Sequence, residues 1–340
     1  MKHRAYIRST GMYVPEKVVT NHDLAVLFDT SDEWIVQRTG IAERRFVEPG
    51  VFTSDLAVKA AQNLLSKGEV LADEIDCILF ATLSPDFHFP GTGVFMQEKL
   101  GWSKRFIPCY DIREQCSGFV YGLQMAQAFI ECGMYENVLL VGAELHSNFL
   151  EFTNRGRAVA VLFGDAAGAC VVSRCPADSP SGILYSEMHA DGSGALSGIH
   201  MRLFDASRRP PLYYNPRDPQ QNAAMYPEMA SGQNLFTSAV RRMAEVSRSA
   251  LDRLGLTVDD IDWILPHQAN MRINQMVGQH LGVDEKKILY NIHKYGNTTA
   301  ATIPLLLAEF TENGTIKRGD MILTVAFGAG FTWGAVVFRY

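Results

Sequence analysis

The chain sets one cysteine where a thiol can act as a nucleophile. Cys116 lies in Asp111-Ile-Arg-Glu-Gln-Cys116-Ser-Gly-Phe-Val-Tyr-Gly-Leu123. Before it, Phe106, Ile107, Tyr110 and Ile112 read as a buried strand; after it, Phe119, Leu123, Ala126 and Ile130 recur at helical spacing. Cys116 is therefore predicted at or just before a helix N-terminus, where unpaired backbone N–H groups and the positive end of the helix dipole favour the reactive thiolate. Ser117-Gly118 keeps bulk away from the sulfur, so a substrate carbonyl has room to approach while a backbone N–H receives its oxyanion. A buried cysteine in a strand-to-helix turn is the plain alternative, and the second half of the chain separates the two.

Glu74-Ile-Asp-Cys-Ile-Leu79 and Asp260-Ile-Asp-Trp-Ile-Leu265 share the pattern acidic-Ile-Asp-x-Ile-Leu, each after a long amphipathic helical stretch. Leu100-Gly101 answers Leu281-Gly282, and the apolar runs Val138–Gly142 and Met321–Val325 follow the respective helices. Counted from the Leu-Gly pairs, Cys116 falls opposite Asn297. The chain thus reads as two similar α/β halves, 1–180 and 181–340, each with helices on a mostly parallel sheet. Functional groups in such folds gather at strand carboxyl ends facing helix N-termini. His267, in Pro266-His267-Gln268-Ala269-Asn270, directly follows the second copy's strand. Singly, His267 reads as a satisfied core histidine and Asn297 as a turn residue. Together with Cys116 they occupy equivalent points of a repeat, around one crevice. The glycine-rich runs Phe163–Gly168 and Phe327–Phe331 flank it, suited either to close approach by a ligand or to a tight crossover.

Further along the chain, Thr30-Ser-Asp-Glu33 is predicted to form a capping box, Thr30 capping a helix that carries Trp34 and Arg38. The Pro- and Tyr-containing segment from Ser193 to Met229 has no period and reads as a lid or pocket wall.

Nearly half the residues are apolar, ample for a large buried core. The formal charge of -6 is mild and unclustered, which argues against a nucleic-acid surface or a polybasic membrane patch. No apolar run approaches membrane-spanning length and no apolar leader follows Met1-Lys2-His3-Arg4, so the cytoplasm is the expected compartment. Cys77, Cys109, Cys116, Cys132, Cys170 and Cys175 form no C-x-x-C pair and fit free thiols in a reducing compartment. Without H-E-x-x-H, a Walker A loop or a strand-linked G-x-G-x-x-G, neither a metal nor a cofactor is expected.

With these residues in view, the chain resembles the β-ketoacyl-acyl-carrier-protein synthase III enzymes, condensing enzymes of the thiolase superfamily, over essentially its whole length. The resemblance rests on Thr30-Ser-Asp-Glu-Trp-Ile35 with Arg38-Thr-Gly-Ile41, Cys116-Ser-Gly-Phe119, Arg155-Gly156, Phe163-Gly-Asp165, His267-Gln-Ala-Asn-x-Arg-Ile273, Gly296-Asn-Thr298 and Gly330-Phe-Thr-Trp-Gly334. It implies a five-layer α-β-α-β-α fold of two pseudo-symmetric halves, a homodimer, and ping-pong Claisen condensation of an acyl-CoA with malonyl-acyl carrier protein, both of them substrates.

Under this resemblance Cys116 takes the acyl group, and the N–H groups of Cys116 and Gly330 hold the tetrahedral oxyanion. His267 and Asn297 then donate to the malonyl thioester oxygen while carbon dioxide leaves. Trp34 would stack on the adenine of CoA with Thr30, Arg38 and Arg155 nearby, and Gly232, Phe236 and Asn270 would line the pantetheine tunnel. Arg272, with Arg241, Arg242, Lys286 and Lys287, would offer a basic site to the acidic carrier protein, and Phe89 would reach the partner subunit's acyl pocket. Read without the family, Trp34 is a core residue and the basic residues are solvated charges. The sequence departs from the family pattern at Arg113-Glu114-Gln115, at Ala329 and in the length of the 193–229 segment, which leaves the acyl donor open.

Two other readings stay in view. A relative with the same three residues can join acyl groups to a non-malonyl acceptor; release of carbon dioxide from malonyl-carrier protein separates it. A papain-like hydrolase also orders Cys, His and Asn, but expects a secreted, disulfide-bearing chain whose Asn orients His.

Overall fold

A computed structural model describes residues 3–201 and 226–340. The first sheet comprises β1 (His3–Tyr13), β2 (Cys77–Ala81), β3 (Cys109–Ile112), β4 (Asn137–Glu144) and β5 (Ala166–Pro176), in the order β1-β5-β4-β2-β3. The second comprises β6 (Gly182–Ala190), β7 (Trp263–Pro266), β8 (Met321–Gly328) and β9 (Thr332–Arg339), in the order β7-β8-β9-β6. The two orders correspond strand for strand: β2 with β7, β4 with β8, β5 with β9 and β1 with β6. The place of β3 is taken in the second half by a single parallel bridge between Ile264 and Ile288. The two Ile-Asp-x-Ile-Leu runs end in β2 and β7, so the repeat seen in the sequence is the repeat of the fold.

The expected mostly parallel sheets are corrected. β2 pairs in parallel with β3 and β4, and β7 with β8, but β5 and β9 run antiparallel to β4 and β8, and β1 and β6 antiparallel to β5 and β9. Central strands here are covered by helices on both faces, so they read as continuous apolar runs whichever way they run. Phe106, expected inside a strand, lies outside β3 with φ 55° and is 88% exposed.

Helices complete five layers. α1 (Asp32–Thr39) lies to one side, packing Ile35 with Leu24, Phe28 and Ile41. Its N-cap is Ser31, whose side chain accepts the Trp34 N–H, and not Thr30. Serine and threonine cap comparably, so chain geometry at the helix entry decides between neighbours. α2 (Thr53–Ser66) and α3 (Thr92–Lys99) cover the outer face of the first sheet, bringing Leu56, Ala60, Leu64 and Met96 onto Ile78, Phe80 and Val141. α4 (Gly118–Glu131) lies between the sheets beside α7 (Thr302–Glu312). There Phe119, Leu123, Ile303 and Leu306 share one core with Leu79 and Leu140 of the first sheet and Ile322 and Val336 of the second. α5 (Gly232–Leu254) and α6 (Met271–Leu281) cover the second sheet's outer face through Met243, Leu251, Ile273 and Val277.

Two glycines let the halves close on each other. A Cβ on Gly142 of β4 would sit far inside contact distance of the Ala300 carbonyl, in the one-turn segment Thr299–Ala301 that leads into α7. A Cβ on Gly328, at the end of β8, would press at 3.3 Å on Cys116 and Ser117, in the segment Gln115–Ser117 that leads into α4. Gly142→Ala is therefore expected to lower the unfolding free energy by about 1–3 kcal/mol, read from denaturant midpoints. Gly192→Ala, where a Cβ meets nothing within 4 Å, should stay within about 0.5 kcal/mol. Equal midpoints for the two variants would mean that the turn retreats without cost.

Candidate active site

Cys116 is carried on the turn before α4, as its sequence context predicts, with Gln115 at φ 42°. The turn is pinned by the Ser117 hydroxyl, which donates to the Glu114 carbonyl at 2.8 Å and lies 2.7 Å from Thr332 Oγ1. Ser117 and Gly118 face inward instead of clearing space at the sulfur. Ser117 is buried, and a Cβ on Gly118 would touch Ala81 and Ala300. Access comes from the other side, where Cys116 opens on a cavity of about 780 Å³ that runs out to Trp34 and Arg38.

Asn297 reaches the same cavity from the equivalent turn before α7. Its Oδ1 accepts the Thr299 N–H at 2.8 Å, so its Nδ2 is the donor, and it hydrogen-bonds the Cys116 sulfur. The backbone of Asn297 donates to Leu162 O at 2.8 Å and accepts the Gly164 N–H at 3.2 Å. The Phe163-Gly-Asp run thus clamps Asn297. His267 directly follows β7, held by its N–H on Val325 O at 2.8 Å. Its Nδ1 is 2.7 Å from Thr302 Oγ1, and among the described residues its Nε2 is buried with no hydrogen-bond partner; His267 itself is not one of the residues lining the cavity.

Burial sets the electrostatics. Against the pull of the helix N-terminus, desolvation pushes the Cys116 thiol up to about 12, and the buried Glu144 carboxylate adds to the shift. Hydrogen bonds from the Cys116 and Ala329 N–H groups and from Asn297 offset part of it. The helix N-terminus therefore loses to desolvation at Cys116. The second N–H at the sulfur belongs to Ala329, one residue before the Gly330 expected from the sequence; Gly330 lines the cavity beside it. Burial likewise lowers His267 to about 3 and His146 to about 4, so both imidazoles are neutral at ordinary pH.

Glu144 had no motif to announce it. It ends β4 fully buried, accepts from the Leu83 N–H at 3.2 Å and the Ser84 hydroxyl at 2.6 Å, and burial still raises it to about 7. The sequence signal was an acid closing an otherwise apolar strand.

At the outer end, Trp34 lies under two guanidiniums, Arg38 at 4.4 Å and Arg157 at 5.0 Å from the ring centroid. Arg157, which sequence reasoning passed over, is anchored to Asp29 O at 2.7 Å. Arg155 instead pairs with Glu151 at 2.8 Å and does not line the cavity. Thr30 is not a lining residue either; its hydroxyl is buried without a partner. Gly232, Phe236 and Asn270 do line the cavity between Trp34 and Cys116.

Arg272 is exposed at the start of α6, 6.0 Å from the Phe236 ring. Lys287 donates to the carbonyls of Val258, Asp259 and Ile261, and Arg242 pairs with Glu245, so these two are already engaged. Phe89 is 80% exposed and stands off the cavity of its own chain, which Phe87 and His88 line. Ala195, Ile199, Met201, Pro227 and Met229 line the cavity from both flanks of the expected pocket wall; its middle, 202–225, lies outside the described residues.

A five-layer duplicated fold whose first half presents a cysteine to an asparagine of the second, with a buried histidine directly after the second half's strand β7, is the arrangement of thiolase-like acyl-transferring enzymes. Models of 3-oxoacyl-[acyl-carrier-protein] synthase III match residues 110–192 and, for its C-terminal part, 251–340. A β-ketoacyl-[acyl-carrier-protein] synthase III of Caldanaerobacter subterraneus is 42% identical across 100% of this chain and 98% of the relative, and one of Bacillus anthracis is 41% identical across 98% of each. The crystal structure of 3-oxoacyl-[acyl-carrier-protein] synthase III from Aquifex aeolicus superposes with a TM-score of 0.88 at 40% identity, covering 99% of this chain and all of that one. The chain belongs to the β-ketoacyl-[acyl-carrier-protein] synthase III family.

The raised thiol has a direct consequence. Alkylation of Cys116 by iodoacetamide, followed by peptide mass spectrometry, should accelerate from about pH 7 to about pH 10 without levelling off. A plateau reached near neutrality would mean a resting thiolate.

Proposed function

We propose that this chain opens fatty acid synthesis by condensing an acyl-CoA with malonyl-acyl carrier protein. The observation that carries the reading is the cavity itself. It is lined by Cys116 and Asn297 and also by Trp34, an indole flanked by guanidiniums, suited to a nucleotide base and its phosphates.

In the first half-reaction the Cys116 sulfur attacks the acyl thioester, and the Cys116 and Ala329 N–H groups receive the oxyanion. The thiol proton leaves with the departing CoA sulfur. In the second, His267 and Asn297 donate to the malonyl thioester oxygen, so that loss of carbon dioxide leaves an enolate instead of a bare carbanion. The enolate carbon attacks acyl-Cys116, and the sulfur recovers a proton as the product departs. A neutral His267 suits this step, because it stabilises the enolate without protonating it.

On this reading acyl-CoA and acyl carrier protein are the partners, the carrier docking near Arg272, and the protein is a cytoplasmic homodimer. The exposed Phe89, beside a half-exposed Phe87, supports an apolar contact with a second copy. Among the described residues no helix is long and apolar enough to cross a membrane.

Intact-protein mass spectrometry after incubation with a panel of acyl-CoAs tests the reading. One acyl adduct is expected, absent in Cys116→Ala, and discharged by malonyl-acyl carrier protein with release of carbon dioxide. An adduct that only a non-malonyl acceptor discharges would replace this reading with a different acyl transfer.

A further inference from the structure

We infer that Thr302 is a positioning residue that holds His267 in the Nε2–H tautomer, the form able to donate to a thioester oxygen. The inference rests on the condensing reading above and extends it. A neutral imidazole carries one N–H, and which nitrogen holds it is set by the partner of the other. Among the described residues the partner of Nδ1 is Thr302 Oγ1, at 2.7 Å.

The Thr302 hydroxyl has one proton and two acceptors in reach, His267 Nδ1 and the Thr299 carbonyl at 2.9 Å. Two observations send that proton to Nδ1, and a third removes the case for the carbonyl. The Thr299 carbonyl already accepts the backbone N–H of Thr302, so it is satisfied when the hydroxyl turns away. A threonine Oγ in the first turn of a helix lies near the carbonyl three residues back by helical geometry, so that contact does not reveal the proton's direction. The shorter contact also has the length usual for an O–H donor, whereas N–H donors usually stand farther off.

With Thr302 donating, Nε2 carries the proton. That atom is the buried nitrogen without a protein partner, a donor left for the substrate. With Thr302 reversed, Nε2 would be a bare lone pair facing a developing negative charge. The depressed basicity of His267 leaves no second proton to repair this. Thr302 thus acts on decarboxylation through His267, while attack by Cys116 uses N–H donors on other elements.

Nitrogen-15 NMR of histidine-labelled resting protein, with the His267 signals assigned by their absence in His267→Gln, tests this without any substrate. Nε2 is expected at a protonated, pyrrole-type shift and Nδ1 at a pyridine-type shift; the reverse assignment overturns the inference. A kinetic arm compares Thr302→Val with Thr302→Ser. Carbon dioxide release from malonyl-acyl carrier protein is expected to fall about tenfold or more in the valine variant, with acyl adduct formation at Cys116 retained and serine restoring the release. Equal loss of both half-reactions, or serine behaving as valine does, also overturns it. Wild-type protein that forms no adduct, or an adduct malonyl-carrier protein does not discharge, would count against the condensing reading, whereas the NMR result stands on its own.

Discussion

Everything at this site depends on how closely the two halves approach. Each half sends a one-turn segment, Gln115–Ser117 or Thr299–Ala301, against the central strand of the other, and each strand receives it at a residue without a Cβ, Gly328 or Gly142. Because the turns carry Cys116 and precede α7 immediately after Asn297, the contact that closes the fold also sets the nucleophile beside its opposing amide. Bulk at either glycine would separate the sheets where the chemistry has to happen.

The same closeness buries the reacting groups, and burial decides the protonation states. In a solvated turn, a helix N-terminus would draw Cys116 toward thiolate; in this interior, desolvation and Glu144 hold it as a thiol. A neutral thiol is a poor nucleophile for stray electrophiles but can still be deprotonated as a thioester is attacked. Dehydration also keeps His267 neutral, which suits a group that donates a hydrogen bond without surrendering a proton. On the proposed reading, acylation belongs to the half that carries Cys116 and decarboxylation to the half that carries His267, while Asn297 of the second half hydrogen-bonds the Cys116 sulfur.

Much of this was legible in the sequence because duplication preserves apolar pattern and spacing together. The matched Ile-Asp-x-Ile-Leu runs located β2 and β7, and counting from the Leu-Gly pairs set Cys116 against Asn297. What was missed depends on quantities a sequence does not carry. Strand direction is hidden when both faces are buried, so the sheets read as mostly parallel although β5 and β9 run antiparallel to their neighbours. Ser31 and Thr30 are equally good caps, and the backbone chooses. In Gly328-Ala329-Gly330 a shift of one residue moves the N–H at the sulfur from Gly330 to Ala329, and glycine-rich loops do not fix that register in advance. Arg155 and Arg157 are alike in sequence context, but the fold sets Glu151 opposite one and Trp34 opposite the other. Glu144 and Thr302 matter only through residues distant in sequence.

On the proposed reading, the cysteine half transfers the acyl group while the histidine half removes carbon dioxide. The most direct test of that division is a single-turnover experiment on folded His267→Ala, following the acyl adduct on Cys116 and carbon dioxide release from malonyl-acyl carrier protein in the same samples. The adduct is expected to form within a few-fold of wild type while carbon dioxide release slows by about a hundredfold or more. Unimpaired carbon dioxide release, or loss of the adduct with release intact, would contradict the division of labour.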